Sequence, residues 1–286
     1  MALSMGVFVT SDSCMKLGFQ NAPLFQLMVM RGIFSISLCV VLIFAMGQAG
    51  HIPRMFNKWL VGRGLLEVVA NLSFTLALAY VAIADLTAIV QSCPLFVLLG
   101  AWMFRGERLD APRLILILLG IAGALLVAQP GSGAVSPYAL LAFLTAISSA
   151  TRDLLTPNVP RDMPPLVATL TVVVMLALAG VIGMLAFETP VMPGQREILL
   201  TALAGATAIA GHFLLYMTYR LGEAKTVAPF MYTLTIWAVL SGLILFGEIP
   251  NTLAIAGMVL VALAGLAIIW LDGRERKAAA TAAEAR

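Results

Sequence analysis

The most constraining feature of this 286-residue chain is a set of marker residues that recurs at a constant offset of 141 positions. The recurring residues are helix breakers and charged groups: Asp12 and Asp153, Pro23 and Pro164, Gly64 and Gly205, and Gly106-Glu107 and Gly247-Glu248. The offset is close to half of the chain length, so the chain consists of two copies of one unit. We therefore expect two domains, residues 1–129 and 136–271, followed by a tail at 272–286.

The composition places both copies in a membrane. Hydrophobic residues make up 61% of the chain and charged residues only 11%, whereas a soluble domain keeps about a quarter of its residues charged. A helix needs about 20 apolar residues to cross a bilayer. Ten such spans, bounded mostly by Pro and Gly, lie at 2–19, 23–46, 59–80, 82–103, 111–129, 136–155, 164–187, 197–219, 226–246 and 251–271. Because backbone groups cannot stay unpaired in lipid, the spans are predicted to be α-helices.

Each copy of the unit contains five spans. Because five is odd, the second copy must cross the membrane in the direction opposite to the first. The predicted fold class is therefore an all-α integral membrane protein of ten transmembrane helices, built as two inverted five-helix repeats. Inverted repeats around a central site are a usual architecture of secondary transporters.

The distribution of Lys and Arg predicts the orientation of the spans. With the N-terminus in the cytoplasm, Lys16 and Arg196 fall in external connections and Arg31 falls within a span. All the others of the 17 Lys and Arg residues fall in cytoplasmic connections or in the tail. We therefore predict a multi-pass protein of the bacterial inner (cytoplasmic) membrane, with both termini in the cytoplasm.

Several other functional classes have no support in the sequence. The net charge of +3 comes from cytoplasmic connections and forms no extended basic stripe, which argues against a nucleic-acid partner. Cys14, Cys39 and Cys93 all fall within spans, at spacings that suit neither a disulfide framework nor a metal site. We therefore expect no metal and no cofactor. The sequence has no Gly-x-x-x-x-Gly-Lys-Ser/Thr segment, so this chain does not drive transport with ATP.

Two charged residues fall deep within the first two spans. Asp12 and Arg31 lie at similar depths, roughly 12 Å from the external surface, so we predict that they pair. Because intramembrane charges usually pair with one another, the pair is interpreted first as a structural clamp between the two spans. The alternative is a gate, or an arginine that binds a substrate carboxylate.

Two polar stripes at helical spacing occupy matching depths in the two copies. The third span contributes Arg63, Glu67 and Asn71, and the eighth contributes His212, Tyr216 and Arg220. Glu67 can take up a proton in apolar surroundings, or it can pair with Arg63 on the helix surface. His212 can titrate near neutral pH, or it can serve only as a hydrogen bond between helices.

The fourth and ninth spans contain prolines, which free backbone carbonyls to line a cavity. Gln91 precedes Pro94 in the fourth span, and Tyr232 and Trp237 follow Pro229 in the ninth. We predict a cavity on the pseudo-two-fold axis, lined by both polar stripes and closed by Tyr232 and Trp237. The predicted substrate pathway comprises Asp12, Arg31, Glu67, Asn71, Gln91, His212, Tyr216, Tyr232 and Trp237.

The ends of the fourth and ninth spans and the two last spans of the copies are interpreted structurally. Glu107 and Glu248 each follow a glycine at a span end and are interpreted as helix-end anchors. The fifth and tenth spans are predicted to be peripheral scaffold helices, with a possible homodimer face formed by small residues. These small residues are Gly120, Gly123, Gly257, Ala264 and Gly265.

Three motifs lie at or near the ends of the predicted fourth and ninth spans: Phe-Arg-Gly-Glu-Arg-Leu at 104–109, Val-Ala-Pro-Phe-Met-Tyr-Thr at 227–233 and Leu-Phe-Gly-Glu-Ile-Pro at 245–250. Together with Lys16, Arg31 and Arg152-Asp153-Leu154, they resemble the two EamA-type repeats of the drug/metabolite transporter superfamily. The resemblance implies ten helices, cytoplasmic termini, and a central cavity formed by spans 1, 3, 4, 6, 8 and 9. The chain departs from the pattern at Pro157, where a repeat of Lys16 would fall.

The resemblance implies a secondary transporter of a small organic metabolite, such as an amino acid or a similar amphipathic solute. We expect an exporter that works by alternating access. The alternative is an importer of a vitamin or nucleoside-type cofactor, of the riboflavin or S-adenosylmethionine class. An intramembrane enzyme would need a catalytic cluster such as His-Glu-x-x-His, and the two histidines, His51 and His212, stand apart. A channel would need a continuous charged ring, whereas the polar positions are scattered.

Overall fold

The computed structural model describes residues 1–106, 109–129, 138–160, 162–221 and 228–284, and the side chains in these ranges except those of 157, 216, 219–221, 228 and 275–284. Over the described residues the secondary structure is helical and contains no strand. The helices are α1 Ala2–Gly18, α2 Leu24–Ala45, α3 Lys58–Leu78, α4 Ile83–Val90, α5 Cys93–Arg105, α6 Ala111–Ala128, α7 Ala139–Leu155, α8 Pro165–Phe187, α9 Gln195–Leu221, α10 Thr233–Ser241 and α11 Thr252–Glu284. Short 3₁₀ segments lie at Ala49–Phe56, Thr156–Asn158 and Ala228–Tyr232, and a π-helical turn lies at Gly242–Phe246.

Eight helical stretches are long and apolar enough to cross a membrane. The prediction of an all-helical membrane protein is therefore confirmed. The eight stretches include α4 and α5 taken together as Ile83–Arg105, and α10 with its flanking turns as Pro229–Phe246. Helices α1 and α7 have 17 residues each and are not among the eight, so the count of ten crossings stays a prediction.

Proline determines where several of these helices begin. Pro23 and Pro164 directly precede α2 and α8, where the missing N–H would be unpaired in any case. Pro94 lies at the start of α5 and prevents α4 from continuing, since proline cannot donate the helical hydrogen bond. The predicted fourth span is thus broken at Gln91-Ser92. The predicted ninth span is irregular in the same way, because a 3₁₀ segment containing Pro229 precedes α10 and a π-helical turn follows it.

The helices pack in antiparallel pairs in which serine hydroxyls bind the neighbouring backbone. Helix α1 lies against α9, where Ser4 Oγ donates to the carbonyl of Gly211 and Ser11 Oγ donates to that of Ala204, both at 2.8 Å. Helix α3 lies against α7 in the same manner, with Thr145 Oγ1 donating to the carbonyl of Ala70 at 3.2 Å. These bonds satisfy polar groups that lipid cannot satisfy.

Helix α2 packs against α8, again antiparallel. Near the end of α2, Cys39 Sγ donates to the carbonyl of Leu166 at the start of α8, at 3.4 Å. At the other end, Glu188 follows α8 and accepts from the backbone N–H of Phe25 at 2.9 Å and of Gln26 at 3.0 Å. A carboxylate here satisfies the unpaired N–H groups of α2 and complements the positive end of its dipole.

Helix α6 packs against α11 through glycines. A Cβ on Gly123 would lie 2.9 Å from the carbonyl oxygen of Gly257, so the two backbones approach as closely as only glycine permits. Four small residues of the predicted dimer face, Gly120, Gly123, Gly257 and Ala264, therefore pack against each other within the chain, while Gly265 faces Tyr232. The outer faces of α6 and α11 instead present large apolar residues such as Leu118 and Leu263. A homodimer through these helices stays a prediction, and it would have to use these outer faces.

Different helix termini meet at the two ends of the bundle. At the end that we call the Met1 end, the amino group of Met1 donates to Thr218 Oγ1 of α9 at 3.0 Å. There also Arg63 Nε, near the start of α3, donates to Thr156 Oγ1 after α7 at 3.2 Å. At the opposite end, which we call the Lys16 end, α1 finishes and α2 begins.

The hydrophobic core is continuous only in the half of the bundle at the Lys16 end. Its fully buried large side chains include Met15, Leu27, Leu78, Ile83, Leu86 and Ile89. Toward the Met1 end, the buried apolar residues form two separate clusters. One cluster joins α2, α8 and α9, and the other joins α5, α6 and α11.

Candidate functional site

A cavity of about 620 Å³ lies between α2, α3, α7, α8 and α9. It extends from Leu60, Val159 and Pro165 at the Met1 end to Met28 in the first turns of α2. Its volume is in the range of small-molecule sites, which are typically 300–1,000 Å³. Most of its lining side chains are apolar, and the polar ones come mainly from α2, α3, α7 and α9.

The wall formed by α2 and α9 presents Arg31, Ser35 and His212 to the cavity. Arg31 and Ser35 are one helical turn apart and so lie on one face of α2. His212 is held in place by a 2.8 Å contact from Nδ1 to the carbonyl of Ala208 and by the edge of the Phe8 ring, whose centroid is 4.9 Å away. This arrangement fixes the imidazole ring at the cavity surface.

The wall formed by α3 and α7 carries an ion-pair network. Arg152 binds Glu67 at 2.6 Å and Asp153 at 2.7 Å, while Arg63 is bound to Thr156. Arg63, Glu67, Asn71 and Arg152 all line the cavity. The alternative of an Arg63–Glu67 pair is corrected, because the Glu67 carboxylate binds Arg152 of the neighbouring helix. Arg152 was not among the predicted pathway residues, and its only sequence signal was its place in a family motif.

The expected direct contact between Asp12 and Arg31 is not present. The two charges attract each other electrostatically, but no nitrogen and oxygen of the pair come within 4.0 Å. The reason is the lateral order of the helices, because α9 packs against both α1 and α2 and lies between them. Arg31 therefore faces the cavity, and Asp12 is not part of the cavity lining.

Besides Asp12, three predicted pathway residues with described side chains lie outside the cavity lining. Gln91 Nε2 donates to the carbonyl of Met231 at 2.9 Å and thereby joins the breaks in the two irregular spans. The hydroxyl of Tyr232 fills the space beside Gly265 in α11. Trp237 Nε1 donates to the carbonyl of Ala2 at 3.0 Å. Helix α10 packs against α1 and α4, which turns these side chains toward helices that do not border the cavity.

The structure thus brings together Arg31, Glu67, Asn71 and His212 of the predicted pathway, and it places Asp12, Gln91, Tyr232 and Trp237 elsewhere. The side chain of Tyr216 lies outside the described residues. Contact between these residues and a substrate stays a prediction.

The Lys16 end contains a polar cluster that sequence reasoning did not assemble. Lys16 Nζ donates to Glu248 Oε1 at 2.6 Å and to the carbonyl of Val81 at 2.7 Å. The second oxygen of Glu248 accepts from the N–H of Ile83 at 3.1 Å. We call these groups the Lys16–Glu248 lock. It ties α1 to the turn before α4 and to the segment after α10, and it makes Glu248 the helix-end anchor that the sequence predicts.

Asp85 is a further buried acid beside this lock. It is 9% exposed, and its Oδ1 has no hydrogen-bond partner among the described atoms. Its charge is repelled by Glu248 and attracted by Lys16. The sequence signal for this residue is weak, since an acid in the first turn of a helix usually complements the helix dipole.

Known proteins similar to this chain are transporters. The EamA-like transporter family model matches residues 1–129 and 136–271. A riboflavin transporter of Rhizobium johnstonii is 30% identical over 219 residues, which cover 76% of this chain and 72% of the relative. The pseudopaline exporter CntI of Pseudomonas aeruginosa is 26% identical over 271 residues, covering 93% of each chain. An S-adenosylmethionine uptake transporter of Rickettsia conorii is 26% identical over 73% of this chain and 71% of its own.

The fold also has a counterpart among solved structures. One crystal structure superimposes with a TM-score of 0.66 over 96% of both chains, at 16% sequence identity. At that identity the likeness concerns the fold alone. The family match, in contrast, extends over both halves of the sequence. It agrees with the motifs at 104–109, 227–233 and 245–250, and the chain therefore belongs to the EamA-like transporter family.

Proposed function

We propose that this membrane transporter of the EamA family is a secondary transporter that exports a small organic metabolite, an amino acid or a similar amphipathic solute, by alternating access. The observation that carries the proposal is the contrast between the two ends of the bundle. The cavity reaches the Met1 end, while the Lys16 end is filled by the continuous core and tied by the lock. A binding site accessible from one end is one of the two states that alternating access requires.

The helix pairing supports the proposal of two inverted five-helix repeats. An exchange of residues 1–129 with residues 136–271 would map α2 onto α8 and α6 onto α11, and each of these pairs is antiparallel. The same exchange would map the α1–α9 pair onto the α7–α3 pair, and both pairs pack in the bundle. If α1 and α7 also span the membrane, and if the irregular spans Ile83–Arg105 and Pro229–Phe246 are one crossing each, the chain crosses the membrane ten times.

The direction of transport is proposed from charge and from similarity. Placing the Met1 end in the cytoplasm of a bacterial cell puts most Lys and Arg residues on that side, so the cavity would load its solute from the cytoplasm. The relative that aligns over 93% of both chains is named an exporter. The second candidate is import of a vitamin or nucleoside-type cofactor, favoured by the 30% identity with a riboflavin transporter. Membership of a transporter family points away from enzymatic activity.

Counterflow in proteoliposomes tests the transport mechanism. Vesicles containing the purified protein are loaded with one unlabelled metabolite at a time, and uptake of the same labelled metabolite is measured. A carrier shows transient, saturable accumulation that depends on the internal solute. Flux that rises linearly with concentration and ignores the internal solute would indicate a channel instead.

The orientation is tested separately with single cysteines in a chain from which Cys14, Cys39 and Cys93 have been replaced. Phe56→Cys at the Met1 end is expected to react with an impermeant maleimide only in inside-out vesicles, whereas Gln20→Cys at the Lys16 end should react only in right-side-out vesicles. Both positions are exposed. Reaction of the cysteine at position 56 from outside would reverse the proposed orientation.

A further inference from the structure

Arg31 is the one arginine of the cavity lining whose guanidinium has no bonded partner among the described residues. The other two have bonded partners, since Arg152 binds Glu67 and Asp153 and Arg63 donates through Nε to Thr156. Arg31 forms no hydrogen bond to described atoms and no ion pair within 4.0 Å. Arg31 is thus the lining arginine whose whole guanidinium is left without a bonded partner among the described atoms.

An available arginine at this depth needs a physical explanation. A charged group within a membrane span is expensive unless it is paired or hydrated, and a guanidinium has five N–H donors to satisfy. Asp12 reduces the cost of the charge by attraction from beyond 4.0 Å, but at that distance it accepts none of the hydrogen bonds. The donors are therefore open to an acceptor that enters the cavity.

The geometry points to a solute that carries a carboxylate beside an apolar body, with Arg31 binding the carboxylate. This inference rests on the proposed transport function and specifies its substrate class. A carboxylate matches the two parallel N–H groups of a guanidinium and accepts a bidentate pair of charge-assisted hydrogen bonds. The lining has three arginines and one acid, Glu67, so its net positive charge also disfavours an ammonium group that lacks a compensating acid.

The rest of the lining determines the body of the solute. Val172, Val173, Leu176 and Ile209 give the cavity that Arg31 lines an apolar surface. Burying an apolar body there contributes about 25 cal/mol for each Å² removed from water, while a strongly polar body would lose hydration without gaining partners. Asn71 is available on the opposite wall for a second polar group of the solute.

The test uses aryl and alkyl monocarboxylates of graded size, such as 3-phenylpropionate, each compared with the amide, the amine and the phosphate monoester of the same body. Binding to the purified wild-type protein is measured by thermal shift over a range of ligand concentrations, because a ligand bound to the folded state stabilises it by RT ln(1 + [L]/Kd). We expect carboxylates to bind at least about tenfold more tightly than the matched amides, as charge-assisted hydrogen bonds predict. We expect the amines not to bind.

Arg31→Gln should abolish the preference for the acid over the amide. Arg31→Lys, which keeps the charge and serves if Arg31→Gln fails to fold, should reduce the preference because an ammonium cannot form the bidentate pair. Arg54→Gln is the control, since Arg54 lies outside the cavity lining in an exposed pair with Asp162, and this variant should keep the preference in full.

Each outcome separates this inference from the transport proposal. Amides, amines or phosphate monoesters that bind as tightly as the acids, or an acid preference that survives Arg31→Gln, would overturn the assignment of Arg31 while leaving transport intact. Binding of no carboxylate in the series would overturn it as well. Acids that bind through Arg31 but show no counterflow would uphold the site and refute the transport proposal.

Discussion

The two ends of this bundle contain comparable polar groups that are used in opposite ways. At the Lys16 end, the lysine and Glu248 are bonded to each other and to backbone groups of Val81 and Ile83, within a continuous core. At the Met1 end, the pair of Arg152 and Glu67 lies on the wall of a cavity, between two separated apolar clusters. An ion pair therefore closes one end of the bundle and lines an opening at the other.

Even if the two halves repeat one unit, the two ends of the bundle need not close in the same way. If the two halves are related by exchange, Pro157 occupies the position of Lys16 in the second half. Proline has no cationic group, so a second Lys–Glu lock cannot form at the Met1 end. The sequence thus favours closure at the Lys16 end, and the state seen here has that closure together with an open cavity at the other end.

The largest expected effect comes from breaking the lock with Lys16→Ala. This change leaves Glu248 without its cation in a largely buried site, where removal of one partner costs about 3 kcal/mol. Breaking a buried ion pair costs about 3–5 kcal/mol, and the lower value applies here because the Glu248 side chain is 25% exposed. The unfolding temperature should fall, and Cys14, which is buried at this end, should become reactive to maleimide.

Lys58→Ala is the control for this variant, since Lys58 is exposed at the Met1 end and its charge lies over the neighbouring Trp59 ring at 5.5 Å. It should leave the unfolding temperature and the protection of Cys14 unchanged. Equal labelling of Cys14 in the two variants would show that the lock does not hold the Lys16 end closed.

A smaller effect is expected from Glu67→Gln in the cavity wall. Arg152 loses one charged partner but keeps Asp153 at 2.7 Å, so the destabilisation should be about 1.5 kcal/mol, the lower value for a hydrogen bond to a charged group. Thermal unfolding measures this difference, and Glu67→Gln should affect transport more strongly than stability. A loss of stability as large as that of Lys16→Ala would contradict the contrast between the ends.

The smallest effect is expected from Asp85→Asn beside the lock. The Asp85 charge is repelled by Glu248, and its buried Oδ1 has no described partner, so removing the charge should cost nothing or stabilise the protein by less than about 1 kcal/mol. The unfolding temperature should stay level or rise. A clear fall would mean that the carboxylate supports the lock directly and that the negative charge is needed at this end.

Local features of the fold were predictable from the sequence with good accuracy. The spans at 23–46 and 164–187 correspond to α2 at Leu24–Ala45 and α8 at Pro165–Phe187, because each begins at a proline and consists of an uninterrupted apolar run. The irregularity of the fourth and ninth spans was signalled by Pro94 and Pro229. These signals act within one helix and need no knowledge of its neighbours.

The partners of the polar residues were less predictable. Asp12 and Arg31 have matching depths, but depth alone cannot show that α9 lies between their helices. Glu67 binds an arginine 85 positions away, although Arg63 is one turn away on its own helix. In both cases the lateral order of the helices decides the contact, and that order leaves no periodic signal in the sequence.

The membrane location and the helical state of the apolar segments could be derived from the sequence alone, which also predicts that the two halves repeat one unit. These properties follow from composition, from the length of each span and from the positions of proline, all of which act along the chain. The tertiary structure was needed to show which end is filled and which cavity charge has no bonded partner among the described residues. Those outcomes depend on which side chains meet across helices, where burial makes a bonded ion pair stable and leaves an unbonded arginine open to a solute.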